Sequence, residues 1–464
     1  MTHWTFEGKI WSLLAVTGLL VSCQSSPVVP PEPSPSAAVT PATTARTRSD
    51  FNAQIRSLLP VQPRDTGDSP VDEAFDRATR LQSDHQFEAA IAAWKKILHD
   101  FKLEADDREE ICFNIAYLYE QQYDLKSDAA LLRQALDWYG QAIRINPNQA
   151  VTYFNRGNVY SDLNDFPHAL ADYNEAVKLN PLDADALVNR GQVYGQLHQD
   201  EAALKDFTQA LKLNSRHETA RINRADLLLD LKRYPEAIAD YTEALKLNPR
   251  NPETLANRAD AYYQQGDYPP AIADLTAAIA LAPQAAGLYF RRGMIYADRH
   301  DLKAALQDYN RCLELKPREH DVLFERAVVS TQLRNYAAAM ADYEQCLKLS
   351  RSDSVTYLNY LELLLITGRY QDFSSLLARF MRNIPDRQLE PEAIVMREFL
   401  DALCLIASGQ AADAQVVRVK TLLKQTPHPD WDFTEINDWL KNPGNRLNPG
   451  QQQRIRKLTE LFPH

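Results

Sequence analysis

Glycine is scarce in this chain, with 14 residues in 464. An all-β protein spends glycine on its tight turns, so the shortage speaks against one, while the plentiful Ala, Leu, Gln, Lys, Asp and Tyr favour helices. An excess of positive charge is missing too. Lys and Arg number 51 against 62 Asp and Glu, a formal charge of -11, which would repel a phosphate backbone and excludes nucleic acid as an expected partner. The sequence contains no HExxH, CxxC or GxSxG and no phosphate-cradling glycine loop, so no enzyme class is indicated and no metal or cofactor is expected. The ten histidines are scattered; His428, near Asp430, comes closest to a dyad, and an isolated loop histidine of this kind reads as a solvated residue. What the chain does have is 45% apolar residues, enough to bury a large core as one long array or as several domains.

The apolar run at residues 10–21 (IWSLLAVTGLLV) falls short of the roughly 20 residues a membrane-spanning helix needs and reads as the core of a signal peptide. It runs into Leu20-Val21-Ser22-Cys23, which resembles the lipobox at which bacterial lipoprotein signal peptides are cut before a diacylated cysteine. That resemblance implies a leader over residues 1–22 and a membrane anchor at Cys23; an ordinary small-residue cleavage site with a chance cysteine is the alternative. Gln24, where inner-membrane retention would favour Asp, implies by the same resemblance an outer-membrane lipoprotein facing the periplasm if the source is Gram-negative. Residues 23–66 follow as a tether. Pro27, Pro30, Pro31, Pro33, Pro35 and Pro41 stand there among Ser and Thr, a composition that buries no core and stays extended.

Self-similarity dominates the rest. Asn155-Arg156-Gly157, Asn189-Arg190-Gly191, Asn223-Arg224-Ala225 and Asn257-Arg258-Ala259 recur every 34 residues. In the same register stand Tyr160, Tyr194, Leu228, Tyr262 and Tyr296, then Ala169, Ala203, Ala237, Ala271 and Ala305. Tyr173, Phe207, Tyr241, Leu275, Tyr309 and Tyr343 come next, and Pro181, Pro249, Pro283 and Pro317 close the units. Period and pattern resemble the tetratricopeptide-repeat family. The resemblance implies an all-α solenoid of antiparallel helix pairs wound into a right-handed superhelix. Small residues would sit where paired helices cross, and aromatics would fill the gaps between hairpins. Asn146-Pro147, Asn180-Pro181 and Asn248-Pro249 should end helices, because a residue before proline avoids the helical region.

Regular units are expected at 71–104 and in unbroken register over 150–353. Residues 109–149 form one more, with an insertion of about seven residues, judged against the 34-residue period, expected in the inter-helix turn around 121–131. The solenoid spans 67–387. Residues 354–387 put Leu361 and Phe373 where small residues belong, so that hairpin should splay or pack differently. Residues 388–464 form a degenerate hairpin over 392–427, broken at Gly409, and a helical C-terminal cap carrying Trp431, Phe433, Trp439, Leu440, Leu458 and Phe462, since a solenoid must cover its last apolar face.

Arg156, Arg190, Arg224, Arg258, Arg292 and Arg326 recur with the period, as do Asp172, Asp206, Asp240, Asp274, Asp308 and Asp342. A feature copied into every unit belongs to the architecture, and a ladder of ion pairs is expected. A second stripe, at i, i+3 and i+7, avoids the apolar face: Asn155, Asn158 and Asp162; Asn189, Gln192 and Gln196; Asn223, Asp226 and Asp230; Asn257, Asp260 and Gln264. In the resembled family this part of the first helix lines a concave groove in which Asn grips the backbone of an extended ligand. The expected peptide-groove residues are therefore Asn155, Asn158, Asn189, Gln192, Asn223, Asp226, Asn257 and Asp260, with solvent-accessible side chains; a bland solvated face is the alternative. Arg291 is the one cation among these positions, which argues against capture of a free carboxylate end and for basic or neutral protein segments. Cys312 and Cys346 read as substitutes for Ala, Cys112 and Cys404 as free core thiols. The functional expectation is a membrane-anchored scaffold that recruits or positions envelope enzymes or assembly factors; a fixed part of a secretion, pilus or outer-membrane assembly machine is the second reading.

Overall fold

The computed structural model describes residues 69–424, 439–441 and 447–462. The leader, Cys23, the tether and the cap residues Trp431 and Phe433 lie outside the described residues. The described residues are all-α, in consecutively packed helix pairs, and divide into two compact units that part between Leu247 and Asn248.

In the first unit, α1 (Pro70–Ser83) pairs with α2 (Phe87–Asp100), α3 (Ala105–Lys126) with α4 (Ala129–Ile145), α5 (Ala150–Asp162) with α6 (Phe166–Leu179), α7 (Ala184–Gln196) with α8 (Asp200–Leu213), and α9 (Glu218–Asp230) with α10 (Tyr234–Leu247). The second unit continues with α11 (Pro252–Gln264) and α12 (Tyr268–Leu281), α13 (Ala286–Asp298) and α14 (Leu302–Leu315), α15 (His320–Gln332) and α16 (Tyr336–Leu349), and α17 (Ser354–Ile366) and α18 (Tyr370–Asn383). After these come α19 (Pro391–Ala407), α20 (Asp413–Leu423) and α21 (Pro449–Thr459).

Local chemistry sets these boundaries. Asn146 and Asn180, each before a proline, leave the helical region at φ -132° and -131°, and each side-chain oxygen then accepts from the backbone N–H two residues on. Asp183, Asn251 and Asp353 cap the helices that follow through their carboxyl or amide oxygens. Between the helices of a pair the chain passes through the left-handed region at Asn164, His198, Lys232, Gly266, His300, Arg334 and Gly368, again 34 residues apart. At each the next N–H bonds five residues back, as Gln199 N does to Tyr194 O at 2.8 Å. Only two of these positions are glycine, so the economy in glycine is bought with about 1 kcal/mol of strain at each of the others.

The small residues have a sharper role than holding two backbones together. A Cβ built on Gly157, Gly191 or Gly293 would lie 2.9, 2.7 or 2.6 Å from the ring of Tyr173, Phe207 or Tyr309 of the paired helix. The first helix makes room for the ring, and the ring fills it: Tyr139, Tyr173, Phe207, Tyr241, Tyr309 and Tyr343 are all buried, as are the alanines from Ala169 to Ala339.

The insertion in the 109–149 unit does not form a loop. It lengthens both helices, to 22 residues in α3 and 17 in α4 against 13 or 14 in the regular pairs, and leaves a turn at Ser127 and Asp128. Residues of high helix propensity continue the hydrogen-bonded ladder at less cost than an open loop. As expected, the 354–383 hairpin packs differently: its helices are less closely paired than those of the regular repeats, with Leu361 and Phe373 buried between them. The expected cap is described only at residues 439–441 and 447–462. Trp439, Leu440, Leu458 and Phe462 join the apolar cluster that contains α19, Phe462 lies edge-on to Phe399 at 4.9 Å, and Gln451 Nε2 donates to the last carbonyls of α19, Ile406 O and Ala407 O, both at 3.1 Å.

Candidate functional site

The charge series forms the expected ladder. Each arginine from Arg156 to Arg326 grips the aspartate sixteen residues on in its paired helix through both Nε and Nη2, at 2.6 to 2.8 Å. The carboxylates are buried and the guanidinium groups about a fifth exposed. A fork-to-fork pair of this kind fixes orientation as well as charge. Hydrogen bonds to Asp206, Asp274 and Asp308, working against desolvation, raise the pKa of Arg190, Arg258 and Arg292. The sequence reading missed the third contact: Nη1 reaches the second helix of the preceding repeat, from Arg190 to Asn174, Arg224 to Thr208, Arg292 to Thr276 and Arg326 to Asn310, at 2.8 to 3.1 Å. A periodic series of small polar residues sixteen positions before each arginine from Arg190 to Arg326 was the signal for it. The tyrosines four residues on complete the setting, with Arg156, Arg190, Arg258 and Arg292 over the rings of Tyr160, Tyr194, Tyr262 and Tyr296 at 5.8 to 5.9 Å.

The polar stripe on the first helices is a second ladder. In the first unit, Asn158 Oδ1 accepts from Tyr173 of its own repeat at 2.7 Å and from Asn189 Nδ2 of the next first helix at 2.8 Å. Gln192 is exposed, Asn189 and Asn223 are half-buried, and Asp226 accepts from the Tyr241 hydroxyl. The expectation of uniform accessibility fails at two positions. Asn155 is buried at 3% exposure, because the long α3–α4 pair of the preceding unit packs beside it; Asp260 is buried at 7% in the second unit and meets Arg291 at 3.0 Å. Burial, only partly offset by Arg291, pushes the Asp260 carboxyl up to about 6. Asn257 is half-buried in that unit. The stripe thus ties neighbouring first helices together, and of its amides Gln192 is exposed while Asn189 and Asn223 are half-buried. The Nδ2 groups of Asn155 and Asn223 have no hydrogen-bond partner, a costly state for a buried donor.

Among the described residues no cluster of three or more His, Cys, Asp or Glu could hold a metal ion, and no described helix is long and apolar enough to cross a membrane. What the geometry defines is a helical-repeat protein that presents repeated polar surfaces, the class whose work is protein–protein interaction. Four descriptions of the repeat match this chain: a TPR repeat at residues 132–164, 157–198 and 225–266, and a tetratricopeptide repeat at 184–217, at 256–320 and at 293–358. The chain belongs to the tetratricopeptide-repeat family, and its repeats make it an interaction scaffold.

Among solved structures it is similar to a tetratricopeptide repeat protein from Parabacteroides merdae, with 22% identity over 56% of this chain and 98% of that one and a TM-score of 0.42. It is also similar to the C-terminal part of a TPR repeat-containing protein from Cytophaga hutchinsonii, with 18% identity over 53% and 97% and a TM-score of 0.45. A third is YrrB, described as a TPR protein with an unusual peptide-binding site, with 23% identity over 40% and 95% and a TM-score of 0.37. No curated protein matches the chain.

Proposed function

We propose that the chain is a membrane-tethered scaffold that holds extended segments of partner proteins against the first-helix stripe and so recruits or positions envelope enzymes or assembly factors. The observation that carries the reading is the Asn stripe of the first unit, where Asn189 and Asn223 stand half-buried and the Asn223 amide nitrogen lacks a partner. An amide both donates and accepts, so a row of them suits the alternating N–H and C=O of an extended backbone with little regard for side chains. The carboxylates beside the row, Asp226 and Asp230 in this unit, give it a preference for basic or neutral segments over acidic ones. The anchor is Cys23, supported by the apolar run and lipobox at residues 10–23, the proline-rich tether would set the repeats off the bilayer, and Gln24 supports the outer membrane, facing the periplasm, if the source is Gram-negative. The reading needs no catalytic chemistry.

Affinity capture from native membranes tests it. The Asn223→Ala chain should keep its helicity and melting temperature yet retain fewer partners than the parent, because the amide it loses makes no internal bond. Capture that survives this change but is abolished by substitutions in the cap, such as Trp439→Ala, would move the working surface to the C-terminal end and favour the fixed-machine alternative. Cys23→Ser should release the protein from membranes, and an N-terminal peptide with an unmodified Cys23 in mass spectrometry would remove the anchor.

A further inference from the structure

In the first unit an open cleft of about 660 Å³ lies between α6 and α8, lined by Val177 and Pro181, by Leu187 of α7, and by Leu204, Lys205 and Lys212 of α8. Its origin is a short side chain. In the next repeat Arg221 spans the equivalent space and donates from Nη2 to the Ser215 carbonyl at 2.7 Å, and in the second unit the Tyr289 hydroxyl donates to the Pro283 carbonyl at 3.2 Å. The 34-residue register puts Leu187 and Pro181 at these two positions, and a leucine is too short to reach across. Leu255 and Leu323 repeat the leucine, but there the register sets Leu245 and Leu313 in place of Val177, and Ala273 and Ala341 in place of Lys205. The rim is cationic. Lys178 and Lys246 are each paired with the glutamate three residues earlier, Glu175 at 2.8 Å and Glu243 at 2.5 Å. In α8 that glutamate is Gln209, and Lys212 stands exposed with no ion pair among the described residues. Lys205, two turns earlier, occupies a position that is Ala or Gln in the other regular second helices, and it too is exposed and unpaired. The other charges on the lining are Arg190 and Asp206, bonded to each other, and the exposed Glu201. Two lysines against one glutamate leave the cleft net positive in a chain of formal charge -11.

We propose that this cleft is a second docking surface, for an acidic segment of a partner protein that inserts a leucine-sized side chain between α6 and α8 and sets carboxylates against Lys205 and Lys212. The volume is in the range of natural binding clefts. Burial of the apolar side chain against Val177, Leu187 and Leu204 supplies the affinity, and the lysines select the sign of its neighbours. Leu182, beside Pro181 in the adjoining turn, is 75% exposed and adds apolar surface there. The two lysines are seven residues apart on one helix, about 10 Å along its axis, which is the span of about three residues in an extended chain. Glu-Leu-x-Glu is therefore the simplest sequence that meets all three features. The surface is independent of the amide stripe, which lies on the first helices and carries carboxylates; the scaffold takes basic or neutral segments on one and acidic segments on the other.

Fluorescence anisotropy on the full chain tests this, with labelled peptides of one Ser/Gly host that carry Glu-Leu-Ser-Glu, Gln-Leu-Ser-Gln or Glu-Ser-Ser-Glu at the centre. The parent should hold the Glu-Leu peptide about tenfold tighter than the peptide without leucine. In the Lys205→Ala, Lys212→Ala double variant its affinity should fall about fivefold, while that of the Gln peptide stays as it was; both lysines are exposed, so the core is untouched. The effect of the lysines should fade as salt rises. Leu187→Tyr places in the cleft the residue found at 153 and 289 and should abolish the gain from the leucine. A Glu-Leu peptide held equally by the parent and by the lysine variant, one that the parent does not hold, or one that gains nothing from its leucine overturns the proposal. So does a concentration-dependent dimer in sedimentation that the lysine variant abolishes, which would give the cleft to a second copy of the chain. The amide stripe stands or falls separately, on Asn223→Ala.

Discussion

The repeats between residues 150 and 349 and the hairpin at 354–383 share a periodicity but are held together differently. In the regular repeats the first helix gives up volume, as Gly or Ala, to an aromatic ring from the second, and an Arg–Asp fork fixes the pair. In the 354–383 hairpin every part of that arrangement is exchanged at once. Leu361 stands in the small position, Phe373 in the alanine position, Tyr360 where the arginine series would continue and Leu376 where the aspartate would. Leu361, Phe373 and Leu376 are buried in an ordinary apolar core, with Phe380 stacked on Tyr357 at 4.8 Å. Charge there is concentrated instead on the fully buried Arg397, paired with Asp386 at 2.7 Å and Glu398 at 2.8 Å. Between residues 150 and 383 the fork and its small residue are kept together or lost together, whereas the α3–α4 pair keeps Ala116, Ala135 and the buried Tyr139 ring with Ile115 and Trp138 in the fork positions. The small residue can therefore stand without the fork, while a lone Asp or Arg in the fork's place would be a buried charge without a counterion.

The sharpest way to break the comparison is to swap the small position between the two regions. Gly293→Leu drives a side chain into the Tyr309 ring and should cost about 4 kcal/mol or more, whereas Leu361→Ala opens a cavity and should cost about 2 to 4 kcal/mol, both read by thermal and urea unfolding. A tolerated Gly293→Leu would mean the ring is not held where the packing argument needs it. Next in size is the fork. Arg224→Ala strands the buried Asp240, with Arg221 3.8 Å away, and should cost about 3 kcal/mol. The double change Arg224→Tyr, Asp240→Leu, which copies residues 360 and 376, should recover most of that in a double-mutant cycle. The smallest effect concerns Asp260. Its folded carboxyl holds a proton up to about pH 6 where the ordinary value is 3.8, so stability falls as pH rises across that interval and the ionised group is a cost at neutral pH. Asp260→Asn should therefore stabilise the protein by about 1 to 2 kcal/mol at pH 7.5, with the gain fading below pH 4. A gain that is constant with pH would remove burial as its cause.

Much of this was legible in the residues. The period, the small and aromatic positions, the proline stops and the Arg–Asp pairing all follow from side-chain types repeated at fixed spacing. The left-handed turn did not show, because the hydrogen-bond geometry of a helix end selects it and residues as different as Asn164, His198, Lys232 and Arg334 accept it. The direction of the 109–149 insertion was missed for a related reason: length alone does not say whether extra residues loop out or extend two helices, and here helix propensity settled it. For the candidate groove, helical spacing placed Asn155, Asn189 and Asn223 on one stripe. It could not say how far the preceding repeat would cover each of them, and Asn155 is covered where Asn189 is not.

The thiols carry a consequence of the same close packing. Burial pushes Cys112 and Cys312 up to about 11 and Cys346 and Cys404 up to about 12, so the thiolate that attacks peroxides and disulfides is nearly absent at neutral pH. Cys346 is further occupied with the His320 carbonyl, at 3.6 Å. In an oxidising compartment, exposed cysteines would be trapped as mixed disulfides or climb to sulfenic acid. These four are shielded from both fates, and the chain can carry them there as it carries alanine, chemically silent while the fold stays closed.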